Sequence, residues 1–262
     1  MTLATADPPA QPVVFGLTAT GPPAAPAIVF LHGTRLTRAA WTPQLDVLSD
    51  EFRTIAVDLP GHGVRAGERF DLERAADLLA ATIHDHATGD RAIVVGLSLG
   101  GYVAMTLAAR EPALIRGLVI AGASAEPVGV GSLPFRALAV VMPQLGRPRL
   151  DRLSAWFYRS RFPPAIAEPI VAGGFWSNGG AQALRTLFGQ RFAPRLAAYP
   201  GASLILNGEM DLLFRLSSPT FARVAQDARR VQLAGALHLS NLDRPMAFSL
   251  AVREFARSLE PG

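Results

Sequence analysis

Ile93-Val94-Val95-Gly96-Leu97-Ser98-Leu99-Gly100-Gly101 is the stretch whose reading decides the fold. Its β-branched opening predicts a buried strand that stops at Gly96. A Gly-x-Ser-x-Gly turn follows, and then an apolar, helix-forming run over 102–110 that closes before Pro112. A strand that turns so sharply into a helix pushes its central side chain out of the sheet in a strained backbone conformation. Glycines on either side remove the Cβ atoms that would clash there. The Ser98 hydroxyl then sits at a helix N-terminus, where free N–H groups and the helix dipole favour developing negative charge. Gly and Ser also crowd together in ordinary turns, where the serine only caps the helix. The setting between strand and helix makes Ser98 the candidate nucleophile.

Working outward, the same alternation of strand and helix recurs. Residues 13–17 read as an edge strand and Ala27–Leu31 as a buried one, running into His32-Gly33-Thr34-Arg35. Residues 41–48 have helical spacing, Arg53–Val57 is the next strand, and Asp58-Leu59-Pro60-Gly61-His62-Gly63 is its loop. Leu72, Ala75, Ala76, Leu79 and Ile83 form an amphipathic stripe on a helix over 71–86. A strand over 118–121 completes another βαβ unit, so the sheet is expected to be parallel with helices on both faces. From Ala125 to about Pro200 only helical pieces and turn signals occur, with helices expected over 133–142, 150–161, 165–172 and 181–190. Strands return at 203–206 and 231–233, before a final helix over 245–259. The strand-free part is therefore an insertion: a core of residues 1–124 and 199–262, and an inserted helical segment of 125–198.

Composition narrows the function. A chain of 262 residues, 50% hydrophobic and 18% charged, suits one large α/β domain. The net charge of +4 comes entirely from arginine over acid, with no lysine anywhere. Those arginines are scattered among carboxylates with no basic block, which speaks against nucleic acid as a partner. There is no cysteine, so disulfides, thiolate metal sites and a cysteine nucleophile are excluded. No apolar run approaches the length of a membrane span, and residues 1–12 lack the charged and apolar regions of a secretory signal. A cytoplasmic protein, with no membrane partner, is the expectation. No metal-ligand spacing and no nucleotide-binding glycine motif appears, so neither metal nor cofactor is implied.

A serine hydroxyl needs a base to take its proton, and the base needs an orienting acid. Of five histidines, His84 and His86 fall on the polar end of an amphipathic helix, while His32 and His62 sit in loops that they are expected to hold. His238 follows the last strand, at the same sheet edge as the Ser98 turn, and is the candidate base. The acid should follow another parallel strand at that edge. Asp211, after 203–206, is best placed, with Glu209 beside it and Glu126, past the strand ending at Ala121, as rivals that spacing does not separate. For the oxyanion of an acyl-transfer intermediate, the N–H of Leu99 is one donor, and of the loop amides that of Thr34 is favoured over that of Gly33 as the other, with Gly33 letting the backbone approach.

Leu31-His32-Gly33, the Asp58 to Gly63 loop, Gly96 to Gly101, Gly208-Glu209-Met210-Asp211 and Gly235-Ala236-Leu237-His238 together resemble the α/β-hydrolase superfamily. The likeness spans almost the whole chain outside the insertion. It implies an eight-stranded, mostly parallel sheet flanked by helices, a helical cap over the active site, and a Ser98–His238–Asp211 triad. Ser98 argues against the members that carry an aspartate nucleophile. The His-Gly-Thr-Arg loop departs from the commoner pattern after His-Gly.

The resemblance and the residues together predict a cofactor-independent serine hydrolase, cleaving an ester, lactone or thioester of a small apolar acid through an acyl-enzyme. Aromatic residues of the insertion, Trp156 and Trp176 among them, favour an apolar pocket, and Arg35 is placed to pair with a substrate carboxylate. A C–C bond hydrolase of dicarbonyl ring-cleavage products and a non-catalytic ligand receptor stand as alternatives on the same fold. The partner is a small-molecule substrate, and the chain is expected as a monomer or homodimer.

Overall fold

Successive side chains of a strand point to opposite faces, and in β2 (Ala27–Leu31) both faces are buried. Val29 and Leu31 join one apolar cluster and Ile28 and Phe30 the other. The computed structural model describes residues 16–146 and 148–259. Its remaining strands are β1 (Leu17–Thr20), β3 (Arg53–Val57), β4 (Ala92–Leu97), β5 (Ile115–Ala121), β6 (Ala202–Gly208) and β7 (Asp227–Leu233). They lie in the order β1-β3-β2-β4-β5-β6-β7, with only β1 antiparallel.

Among the described residues the sheet thus has seven strands, where eight were expected. Among the described residues a single strand, β1, precedes β2, and the chain passes from it through the turn at Gly21 directly into β2. The edge strand expected over 13–17 begins at Leu17 instead, and residues 13–15 lie outside the described residues.

Helices α1 (Thr42–Leu48), α2 (Leu72–His86) and α3 (Leu99–Arg110) connect the first strands. Between β5 and β6 come α4 (Leu133–Leu145), α5 (Pro148–Arg161), α6 (Pro164–Gly173), α7 (Ser177–Leu187) and α8 (Ala193–Ala198). After β6 follow α9 (Leu212–Val224), then, past β7, α10 (Ser240–Asp243) and α11 (Pro245–Ser258). α1 and α11 pack on the face of Ile28 and Phe30, and α2 and α3 on the other. Among the described residues no helix is long and apolar enough to cross a membrane.

This order positions the site. From β2 the chain leaves through α1 to β3 on one side, while β4, the other neighbour of β2, continues away from it to β5. At such a reversal the loops after the two strands diverge, and a crevice opens at their C-terminal ends. Those ends carry Gly33-Thr34 and Ser98.

Candidate active site

Every residue from 92 to 108 is buried except Ser98. The reason is the turn itself: Ser98 has φ 51° and ψ −113°, in the left-handed half of backbone space where a side chain is strained. Such strain persists only where the surroundings over-determine it, and the neighbouring glycines show how tightly they do. A Cβ on Gly96 would collide with the backbone of Gly100, and one on Gly100 with the carbonyl of Leu31. Gly33, by contrast, would meet Ser98 Cβ at 3.5 Å, an ordinary contact, so its glycine is not demanded by close approach to Ser98. Leu99 opens α3, and its amide has no carbonyl within the helix to bond.

His238 Nδ1 donates to Asp211 Oδ2 at 2.8 Å, across 27 residues of sequence. Asp211 is buried and His238 half-buried. The loops that carry them are zipped together by backbone: Met210 N–H donates to Ala236 O at 2.9 Å and Glu209 N–H to Leu233 O at 3.0 Å. With its proton on Nδ1 and directed at the carboxylate, the imidazole keeps Nε2 as an acceptor. Phe214, in the first turn of α9, stacks on the His238 ring at 5.0 Å between centroids and 23° between planes. Gly122, at φ +54°, packs against the pair from behind; a Cβ there would stand 2.9 Å from His238 Cε1 and 3.0 Å from Nδ1.

The rival carboxylates are engaged elsewhere. Glu126 accepts the N–H groups of Phe192, at 2.9 Å, and Ala193, at 2.7 Å, which open α8. That satisfies otherwise orphaned donors and sets a negative charge at the positive end of a helix. Glu209 accepts from Gly235 N–H at 2.9 Å.

Ser98, Asp211, His238, Gly33, Thr34 and Arg35 all border one cavity of about 350 Å³. Its remaining walls are apolar: Pro134, Phe135, Leu138, Met142 and Leu145 from α4, Leu184 from α7, Leu213 and Phe214 from α9, and Leu239. Arg35 reaches this wall with its guanidinium already engaged. Nε donates to Ser177 Oγ at 2.9 Å and Nη2 to Ser154 Oγ at 3.2 Å, and the group lies 5.4 Å over the Phe175 ring. Trp156 is 64% exposed on α5 and Trp176 borders a different cavity, beside Thr37 and Arg38, so neither lines this one. Their positions in the strand-free segment placed both aromatics in the insertion but say nothing about which way a ring faces. Phe214, Gly122 and Leu213 were not singled out from sequence. The one signal for Phe214 and Leu213 is their apolar run immediately after Asp211.

The two loop histidines hold the Thr34 side of the site. His32 donates from Nδ1 to Gly33 O at 2.9 Å and accepts Leu59 N–H on Nε2 at 3.0 Å. His62 donates from Nδ1 to Pro60 O at 2.9 Å and accepts Arg35 N–H on Nε2 at 3.3 Å. Both rings are fully buried. Burial disfavours the charged imidazolium, lowering His32 to about 4 and His62 to about 3. At neutral pH both are neutral, which the acceptor role of each Nε2 requires.

A family model described as alpha/beta hydrolase family matches residues 28–251. Over 248 residues, 92% of each chain, the sequence is 25% identical to 3-oxoadipate enol-lactonase 1 of Acinetobacter baylyi. Among solved structures, a thermophilic esterase from Thermogutta terrifontis superimposes with a TM-score of 0.75 at 25% identity, covering 94% of this chain and 93% of that one. E-2-(acetamidomethylene)succinate hydrolase superimposes with a TM-score of 0.79, also at 25% identity, covering 92% and 94% respectively.

Proposed function

The chain belongs to the alpha/beta hydrolase family, as a hydrolase of ester or lactone type, and from that premise we propose a serine hydrolase working through Ser98, His238 and Asp211. Ser98 Oγ attacks the carbonyl carbon of an ester, lactone or thioester while His238 Nε2 takes its proton. Asp211 holds the imidazole in the required tautomer and stabilises the imidazolium that forms. The amides of Leu99 and Thr34 receive the oxyanion; one such donor is worth about 10²–10³ in rate. Collapse of the intermediate expels the alcohol, thiol or tethered hydroxyl, which takes the proton from His238 and leaves an acyl-Ser98. Water, deprotonated by His238, then attacks the acyl carbon; the second intermediate collapses with cleavage of the bond to Ser98 Oγ, which takes the proton back from His238 as the carboxylic acid leaves. His238 shuttles one proton from Ser98 to the leaving group and a second from water back to Ser98, so the cycle returns the three side chains to their starting state.

The observation that carries the reading is the 2.8 Å His238–Asp211 hydrogen bond on the wall of the same cavity as a strained, accessible Ser98. The walls support a small apolar acyl group as the substrate's recognised part, because leucine, methionine and phenylalanine side chains dominate them. Residues 125–198 act as the cap in this scheme, over a core of 1–124 and 199–262, since α4 and α7 supply one side of the cavity.

Intact-mass measurement after treatment with a small fluorophosphonate tests the proposal. A single adduct on the wild type, absent from Ser98→Ala, is expected, together with turnover of short-chain esters by the wild type alone. An adduct that persists in Ser98→Ala, or a folded wild type that takes none, overturns it.

A further inference from the structure

Thr34 lies in a turn, Gly33 to Leu36, that is braced from outside the loop as well as by its own hydrogen bond. Its neighbour Arg35 has φ +67°, a left-handed conformation that a non-glycine residue adopts only under constraint. Part of the constraint is the loop's own turn, in which Leu36 N–H donates to Gly33 O at 3.3 Å, and from the core His62 Nε2 accepts Arg35 N–H at 3.3 Å. The rest comes from the inserted helices: Trp176 N–H donates to Arg35 O at 2.9 Å, forming an isolated antiparallel bridge, and Ser154 and Ser177 hold the guanidinium.

The first turn of α7 presses on this loop through Gly179 and Gly180. Neither has the positive φ that would call for glycine on conformational grounds, and alanine is the better helix former. Space explains them. A Cβ on Gly180 would stand 2.9 Å from Thr34 Cγ2, 3.3 Å from the Arg35 amide nitrogen and 2.6 Å from Met142 Sδ. A Cβ on Gly179 would overlap the carbonyl of Gly61, in the loop that carries His62. The two glycines thus let a helix lie directly against both loops that fix Thr34 and Arg35.

We propose that Gly180, with Gly179, is a positioning residue for the reaction: the first turn of α7 sets where the Thr34 amide meets the oxyanion. The inference rests on the serine-hydrolase reading. It makes the inserted segment part of the catalytic geometry as well as a wall of the pocket. Misplacing a transition-state donor by a fraction of an ångström lowers kcat while leaving ground-state binding nearly alone.

The test is steady-state hydrolysis of p-nitrophenyl acetate by wild type, Gly180→Ala, Thr34→Ser and Gly180→Ala/Thr34→Ser, with fluorophosphonate labelling of the wild type as reference. Gly180→Ala is expected to lower kcat at least about tenfold with KM within about twofold. Thr34→Ser deletes the methyl group that the new Cβ would strike, so the double variant is expected to recover to within about threefold of Thr34→Ser alone. An unchanged kcat in Gly180→Ala, or a loss that Thr34→Ser does not relieve, overturns the proposal. If Gly180→Ala does not fold, the comparison is repeated in a Met142→Ala background, where the tightest clash is gone. A kcat there equal to that of Met142→Ala alone overturns it equally. A wild type that takes no label refutes the serine-hydrolase reading; a labelled wild type with an indifferent Gly180→Ala refutes only the positioning role.

Discussion

Acidification from pH 7 to 5 is expected to destabilise the fold through His32 and His62. Burial lowers His32 to about 4 and His62 to about 3 from the ordinary 6.5, and the positive charge of neighbouring Arg38 adds to the effect on His32, as the second histidine does on His62. The unfolded chain takes up both protons as the pH falls through 6.5, whereas the folded chain refuses them until about 4 and about 3. The stability contributed by the two neutral rings is therefore whole above 6.5 and is lost as the pH drops below it. Each histidine costs about 1.4 kcal/mol per pH unit in that window, so between pH 7 and 5 the loss is about 2 kcal/mol per ring and about 4 kcal/mol for both. Against a total stability of about 5–15 kcal/mol, that is a large fraction. Urea denaturation at the two pH values measures it, on wild type, His32→Gln, His62→Gln and the double variant. Each glutamine can offer a neutral acceptor in place of Nε2 and does not titrate. The pH-dependent loss, taken within each protein, should shrink by about 2 kcal/mol per substitution, whatever the substitution does to absolute stability. Surface groups titrate alike in all four proteins and cancel. A double variant that loses as much as the wild type would refute the reasoning.

Two further predictions concern the acid and the glycine behind the base. Asp211→Asn should cut kcat about 10⁴-fold by removing the carboxylate that fixes the His238 tautomer. Glu126→Gln should leave kcat near wild type and cost about 1–2 kcal/mol in urea denaturation, because its partners are the α8 amides; the reverse pattern would move the acid to Glu126. Gly122→Ala places a methyl group 2.9 Å from His238 Cε1, on a residue with φ +54°. It should lower kcat at least about tenfold, beyond the roughly 1–2 kcal/mol of backbone strain read in denaturation, and kinetics like the wild type's would show that the ring does not need that space.

Most of the frame was legible because its signals are local. Ala27–Leu31 and Arg53–Val57 appear as strands with the expected bounds, and α2 covers 72–86 with Asp71 capping it through the amides of Glu73 and Arg74. The Ser98 turn is legible for the same reason: strand, glycine turn and helix lie within a few residues of one another, and backbone sterics alone dictate which side chain is thrust outward. His32 and His62 read as loop-holding residues, and their hydrogen bonds to Gly33, Leu59, Pro60 and Arg35 agree. The helix α9 was not anticipated, since the reading stopped at Asp211 and a proline, Pro219, lies within it. With α9 went Phe214 and Leu213, and hence the stacking on His238.

What the sequence by itself determined is the alternation of strand and helix, the insertion after β5, and the identity of the groups exposed at one sheet edge. Those follow from periodicities of two and 3.6 residues and from glycine and proline placement, all of which act over short range. Sequence spacing favoured Asp211 without excluding its two rivals, and the tertiary structure shows which carboxylate meets the His238 imidazole. Asp211, Glu209 and Glu126 each follow the end of a strand, and only packing brings Asp211 Oδ2 to the imidazole while Gly235 and the start of α8 claim the other two. It decided, too, that Arg35 ties the inserted helices to the core while Trp156 and Trp176 face elsewhere. Hydrogen bonds and ring contacts between residues far apart in the chain depend on where whole elements come to rest, and that is fixed by the packing of helices against both faces of the sheet.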